Sequence, residues 1–167
     1  MTPATALRLL ALFWALLFFA VPAHANESTA AALDLLCPGH QDLREPVDAA
    51  ARRHLLHPVL IVSLMHVESR CRAGAVSSKG ALGLLQVLPR GPAANGRTRA
   101  QLLDPRENIA TGSRWLAMLT VWCGGLPAGL GAYNSGSCTK SHRFARHVLA
   151  VVARVWRELR MTRERTS

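Results

Sequence analysis

Pro58-Val59-Leu60-Ile61-Val62-Ser63-Leu64-Met65-His66-Val67-Glu68-Ser69-Arg70 is the stretch on which the reading of this chain turns. Proline suits the first position of a helix, because the N–H it lacks would be unpaired there in any case. The run from Val59 to Val67 is apolar round its whole circumference, which predicts a helix buried on all sides rather than an amphipathic one lying at the surface. Such a helix needs other helices around it. It also delivers one carboxylate, Glu68, to the end of a core element.

The flanks supply those helices. Leu43, Val47, Ala50 and His54 or Leu55 recur at helical spacing, with Asp42 as an acceptable N-cap, and predict a helix before Pro58. From Cys71 to Gly91 the chain carries Gly74, Gly80, Gly83, Pro89 and Gly91 with Ser77 and Ser78, which predicts turns around one short helix and no strand. Pro92 to Arg99 is polar and reads as a mobile surface loop. Asp104-Pro105-Arg106-Glu107 then combines an N-cap, a first-turn proline and a capping-box glutamate, and predicts a helix to about Trp122. Gly124 to Gly136 interrupts the pattern, which resumes around Ala132-Tyr133-Asn134. Phe144, Val148, Val151 or Val152, Val155 and Leu159 define a last amphipathic helix whose Arg-rich face is solvated. The fold class expected is all-α, mainly helical, in one compact domain.

The first 25 residues read as an address. Arg8 is the only charge before the apolar run Leu9 to Val21, and Ala23-His24-Ala25 offers a small-x-small cleavage site. A signal peptide over 1–25 and a domain over 26–167 are expected, with export to the periplasm. The rival, an uncleaved anchor and thereby a membrane attachment, is disfavoured because the run falls short of a span of about 20 residues. Lys and Arg number 20 against 10 Asp and Glu, and removing the signal takes away only Arg8. An excess of positive charge favours anionic partners. For an exported protein these are the cell wall and lipid headgroups; nucleic acid is not expected, and a merely Arg-rich background composition is the plainer alternative.

Four cysteines, Cys37, Cys71, Cys123 and Cys138, all follow the signal, and an even number in a small exported domain suggests two disulfides. Three pairings exist. Cys123 and Cys138 flank the segment through Tyr133, so Cys123–Cys138 with Cys37–Cys71 is the pairing expected, against the rival Cys71–Cys138. Zinc is not expected: Cys37 and His40 have ligand-like spacing, but no second pair completes four ligands.

Acidic residues are few enough to audit one by one. Between Ser69 and Trp156 only Asp104 and Glu107 are acidic, and both serve the helix start. Asp34, Asp42, Glu45 and Asp48 lie upstream. Glu68 is thus left without an obvious carboxylate partner, whereas ordinary glycosidase chemistry needs two. One suffices if the substrate supplies its own nucleophile. An apolar helix behind Glu68 and the negative end of that helix's dipole would keep it protonated; Arg70 and Arg72 would oppose this if they pointed at it.

Glu68-Ser69-Arg70, Ala75-Val76-Ser77-Ser78-Lys79-Gly80-Ala81-Leu82-Gly83-Leu84-Leu85-Gln86-Val87-Leu88-Pro89, Leu103-Asp104-Pro105 with Asn108-Ile109, and Ala132-Tyr133-Asn134-Ser135-Gly136 resemble, in order and spacing, the SLT-type lytic transglycosylases. The resemblance covers roughly Leu43 to Leu159. It implies a lysozyme-like fold and non-hydrolytic cleavage between N-acetylmuramic acid and N-acetylglucosamine of peptidoglycan glycan strands, giving 1,6-anhydro ends, with no cofactor. It further implies Glu68 as the catalytic acid and base, Ser77 assisting near the reacting sugar, Gln86 lining the glycan groove and Tyr133 facing the glutamate, with Asn134 beside it as a substrate-binding or turn residue. Small members of the family often serve a secretion or conjugation machine, and a monomer is expected. Cys71, in place of a large residue, and Ser137-Cys138, in place of Gly-Pro, depart from the family pattern beside the active-site motifs. A hydrolytic muramidase, a non-catalytic wall-binding scaffold and a cationic membrane-surface protein are the competing readings.

Overall fold

Residues 23–166 are described by a computed structural model. The helices are α1 (Ala23–Leu36), α2 (Arg44–His54), α3 (Pro58–Ser69), α4 (Arg99–Leu103), α5 (Pro105–Trp122), α6 (Leu126–Ser135) and α7 (His142–Thr166), with a 3-10 turn at Gln41–Leu43. Among the described residues there is no strand. Two isolated antiparallel bridges, Val76 with Leu82 and Leu82 with Val87, pinch the segment between α3 and α4.

α3 is the axis of the fold. Val59, Leu60, Ile61, Val62, Leu64 and Met65 are each at most 5% exposed, so the helix is buried on all sides, as its apolar circumference requires. α1, α2 and α7 pack against it. His57 caps it through its ring nitrogen, which accepts from the Val59 N–H at 3.2 Å. α5 lies against α2, α4 and α6, and its cap is the expected one: the Asp104 carboxylate accepts from the Glu107 N–H at 2.9 Å. A smaller apolar cluster of Leu82, Val87, Ala93, Ala94 and Leu102 fills the turn-rich part. The cysteines are joined as Cys37–Cys71 and Cys123–Cys138.

Several local expectations are corrected. Asp42 does not cap α2: it lies inside the 3-10 turn, and the N-cap is Leu43, without a side-chain bond. No short helix forms between Cys71 and Gly91; the glycines and the two bridges favour closed turns instead. The segment from Pro92 to Thr98 is tied down, with Ala93 and Ala94 buried and the Ala93 carbonyl held by Arg114 at 3.0 Å. Arg99 already belongs to α4, which a Thr98–Gln101 capping box starts. Glu107 does not complete a capping box but pairs with Arg97 at 3.0 Å. The signal-peptide reading lies outside the described residues except for 23–25, which form the first turn of α1. No element is read in the sequence between Asn26 and Leu36, although Thr29, Ala32, Leu33 and Leu36 mark the buried face of this helix.

Candidate active site

α3 ends abruptly just past Glu68. Arg70 and Cys71 both take left-handed backbone conformations, φ 54° and 60°, so the chain turns back and their N–H groups bond the His66 and Met65 carbonyls. Two such residues in succession cost on the order of 1–3 kcal/mol each. The bridge to Cys37 anchors the second of them. The strained turn thus fixes where α3 stops and where Glu68 is presented.

Glu68 is partly buried, and burial pushes its carboxyl up to about 7 from the ordinary 4.5. The two arginines do not oppose this. Arg70 donates to His66 Nε2 at 2.7 Å, and Arg72 Nε donates to the Ser69 carbonyl at 3.0 Å. His66 accepts there because its Nδ1–H is committed to the Leu36 carbonyl at 2.9 Å. Three of the four upstream acids are engaged elsewhere, Asp34 with Gln41, Asp48 with Thr29 and Glu45 with Arg106, and Asp42 is exposed on the 3-10 turn. No carboxylate among them contributes to the shift, and with its carboxyl raised to about 7 Glu68 keeps a large share of protonated form near neutral pH.

The wall beside Glu68 is the turn from Gly83 to Val87, and three helices hold it by its backbone. From α3, the Ser69 hydroxyl donates to the Leu84 carbonyl at 2.8 Å. From α5, buried Asn108 accepts from the Leu85 N–H at 2.7 Å and donates to the Leu82 and Leu102 carbonyls at 2.9 and 2.7 Å. From α6, the Tyr133 hydroxyl donates to the Leu85 carbonyl at 2.7 Å. Gly83, at φ 75°, has no room for a Cβ beside the Asn108 amide, and Gly112 on α5 has none beside Leu85 and the Tyr133 hydroxyl. Both glycines are therefore there for close approach.

Tyr133 lies near enough to Glu68 to feel its charge: burial first, and then the glutamate, raise its phenol well above the usual range. Its hydroxyl is spent on Leu85, so it orders the wall next to the acid. Gln86, itself at φ 48°, turns its amide N–H to the Gly83 carbonyl at 3.0 Å and the Ala75 carbonyl at 3.4 Å, leaving its oxygen to accept from elsewhere. The Ser77 oxygen accepts from the Ala81 N–H at 3.0 Å, closing the tight turn that leads to the Val76–Leu82 bridge; the O–H remains available to donate. Glu68, Gln86 and Tyr133 are thus gathered about one turn, with Ser77 in the adjoining one. Asn134 is not: it is exposed, and its side-chain oxygen accepts from Ser141 at 2.6 Å across the connection to α7.

Sequence reasoning places Asn108 in a motif without giving it a role. The available signal is a polar residue in line with Ile109, Leu116 and Leu119 on the buried side of α5. A buried amide there must be fully bonded.

The profile of the transglycosylase SLT domain matches residues 45–147. The chain is 35% identical over 124 residues to the membrane-bound lytic murein transglycosylase C of Cronobacter sakazakii, a match covering 61% of this chain and 34% of that protein. It therefore spans about a third of the length of that curated relative. Among solved structures, an inactive mutant of the lytic transglycosylase Slt of Pseudomonas aeruginosa superposes with a TM-score of 0.64 at 21% identity, over 77% of this chain and 26% of the other.

Proposed function

The chain belongs to the transglycosylase SLT family, and from that membership we propose that it is a lytic transglycosylase acting on peptidoglycan through Glu68 alone. The observation that carries the reading is the partly buried Glu68 at the end of the core helix, the one carboxyl among the described residues that burial pushes up to about 7. Glu68 gives its proton to the glycosidic oxygen between N-acetylmuramic acid and N-acetylglucosamine as the C1–O bond breaks. The C6 hydroxyl of the muramic sugar then bonds to C1, and its proton returns to the Glu68 carboxylate. One bond is exchanged for another, no water is consumed, and a 1,6-anhydro end is left.

The other residues act by position. Tyr133 and Asn108 keep the Gly83–Val87 turn beside the acid, while the Gln86 oxygen and the Ser77 O–H offer an acceptor and a donor to the sugars' hydroxyl and N-acetyl groups. A hydrolytic muramidase would need a second carboxylate to activate water, whereas Asp34, Asp48 and Glu45 are bonded elsewhere and burial, with no neighbouring carboxylate, accounts for the raised Glu68 carboxyl. The two disulfides suit an oxidising compartment outside the cytoplasm, which is where the substrate lies; the periplasm is the site of action in this reading. Glu68→Gln is the test: the amide keeps the shape but moves no proton, so solubilisation of purified peptidoglycan should fall at least about a hundredfold. Retention of a larger share of activity by the folded variant would remove Glu68 from this role.

A further inference from the structure

Leu55 breaks two rules at once. It closes α2 in the left-handed conformation, φ 53°, where glycine or asparagine would sit without strain, and its apolar side chain is 91% exposed. Neither fault is repaired by packing. Two residues on, His57 meets Trp156 of α7 edge to face, with ring centroids 4.9 Å apart, so the corner that exposes Leu55 packs through His57 on a tryptophan that is itself 40% exposed. Arg53 precedes this corner and is exposed. On α7, exposed Arg160 lies one turn beyond Trp156 on the same face and exposed Arg157 flanks it, whereas Glu158 points to the opposite side. Neither Arg157 nor Arg160 is in an ion pair among the described residues.

A protruding apolar side chain and an interfacial tryptophan, rimmed by unpaired arginines, fit a surface with an apolar interior beneath negative headgroups. We propose that the α2–α3 corner and the second half of α7 dock this domain onto an anionic phospholipid bilayer, with Leu55 and Trp156 entering the headgroup layer and Arg157 and Arg160 engaging its phosphates. Charge complementarity selects the partner, since the chain carries twice as many basic as acidic residues. A wall polymer would engage the arginines but offers Leu55 no apolar phase. The surface is independent of the catalytic reading.

The test reads Trp156 itself. The full chain and its Trp156→Phe variant are mixed with vesicles of phosphatidylglycerol and phosphatidylcholine carrying brominated acyl chains, and the difference between their fluorescence isolates the Trp156 signal. The apolar run from Leu9 to Val21 is common to every variant and to both vesicle compositions, so the comparison between them cancels its contribution. Bromolipid should quench Trp156 in the anionic vesicles and not in pure phosphatidylcholine. Replacing Arg157 and Arg160 by alanine should weaken the effect about 25-fold in lipid concentration, at about fivefold per arginine near the surface. Leu55→Gly relieves the backbone, so its melting temperature should hold or rise while quenching is lost. The proposal is overturned if Trp156 is not quenched by anionic vesicles, if it is quenched equally without them, or if Leu55→Gly quenches like the parent.

Discussion

Glu68 carries a stability cost whose sign follows from its raised carboxyl. Between the ordinary value of 4.5 and the folded value of about 7, the folded state holds a proton that the unfolded chain has released, so stability falls as pH rises through this window. The full cost stands above pH 7 and is on the order of 3 kcal/mol at most. Glu68→Gln should therefore be more stable than the parent at pH 8 and about equal to it at pH 4, as read by denaturant unfolding. For the proposed reaction the same group sets a basic limb: activity should fall tenfold per pH unit above about 7, and replacing Arg70 and Arg72 by alanine should leave that limb in place. Tyr133→Phe leaves the Leu85 carbonyl unpaired beside the acid, costing about 1–3 kcal/mol of stability. Its activity should drop less than that of Glu68→Gln; an equal loss would make the hydroxyl part of the chemistry. The placement of Glu68 at the end of a buried helix is legible in the sequence because acids are scarce and one of them ends an apolar run. The use of Gln86's amide on two carbonyls is not legible, since those bonds depend on a turn that only the folded chain forms.

At the scale of elements, legibility follows locality. α3 and α5 are readable because their proline starts, caps and apolar patterns lie within a few residues of one another. The turn from Gly83 to Val87 reads in the sequence as the neighbourhood of a short helix, because what holds it comes from Ser69, Asn108 and Tyr133, 15 to 48 residues away. Asn108 is the member whose loss should matter most. Asn108→Ala strands the Leu85 N–H and the Leu102 carbonyl, each buried group costing about 1–3 kcal/mol, and leaves the Leu82 carbonyl only its bond from the Val87 N–H. The variant should lose several kcal/mol of stability in equilibrium unfolding, and hydrogen exchange should show opening at Leu85. A loss below about 1 kcal/mol would mean that the turn is held by its own glycines.

At the scale of the whole molecule, the disulfides tie the site's two ends. Cys37–Cys71 closes a separation of 34 residues and fixes the strained end of α3; Cys123–Cys138 closes 15 residues and encloses the helix bearing Tyr133. Restricting the unfolded chain stabilises by about 4 and about 3 kcal/mol respectively. Reduction should lower the melting temperature, and replacing both Cys37 and Cys71 by serine should do so more than the corresponding change at Cys123 and Cys138; the reverse order would locate the stabilisation in the native packing instead. The central claim is that one carboxyl and the substrate's own hydroxyl suffice. Digestion of purified peptidoglycan in oxygen-18 water, followed by mass spectrometry of the released muropeptides, tests it directly. The account predicts 1,6-anhydro ends without the heavy isotope, and reducing ends carrying oxygen-18 as the primary product would contradict it.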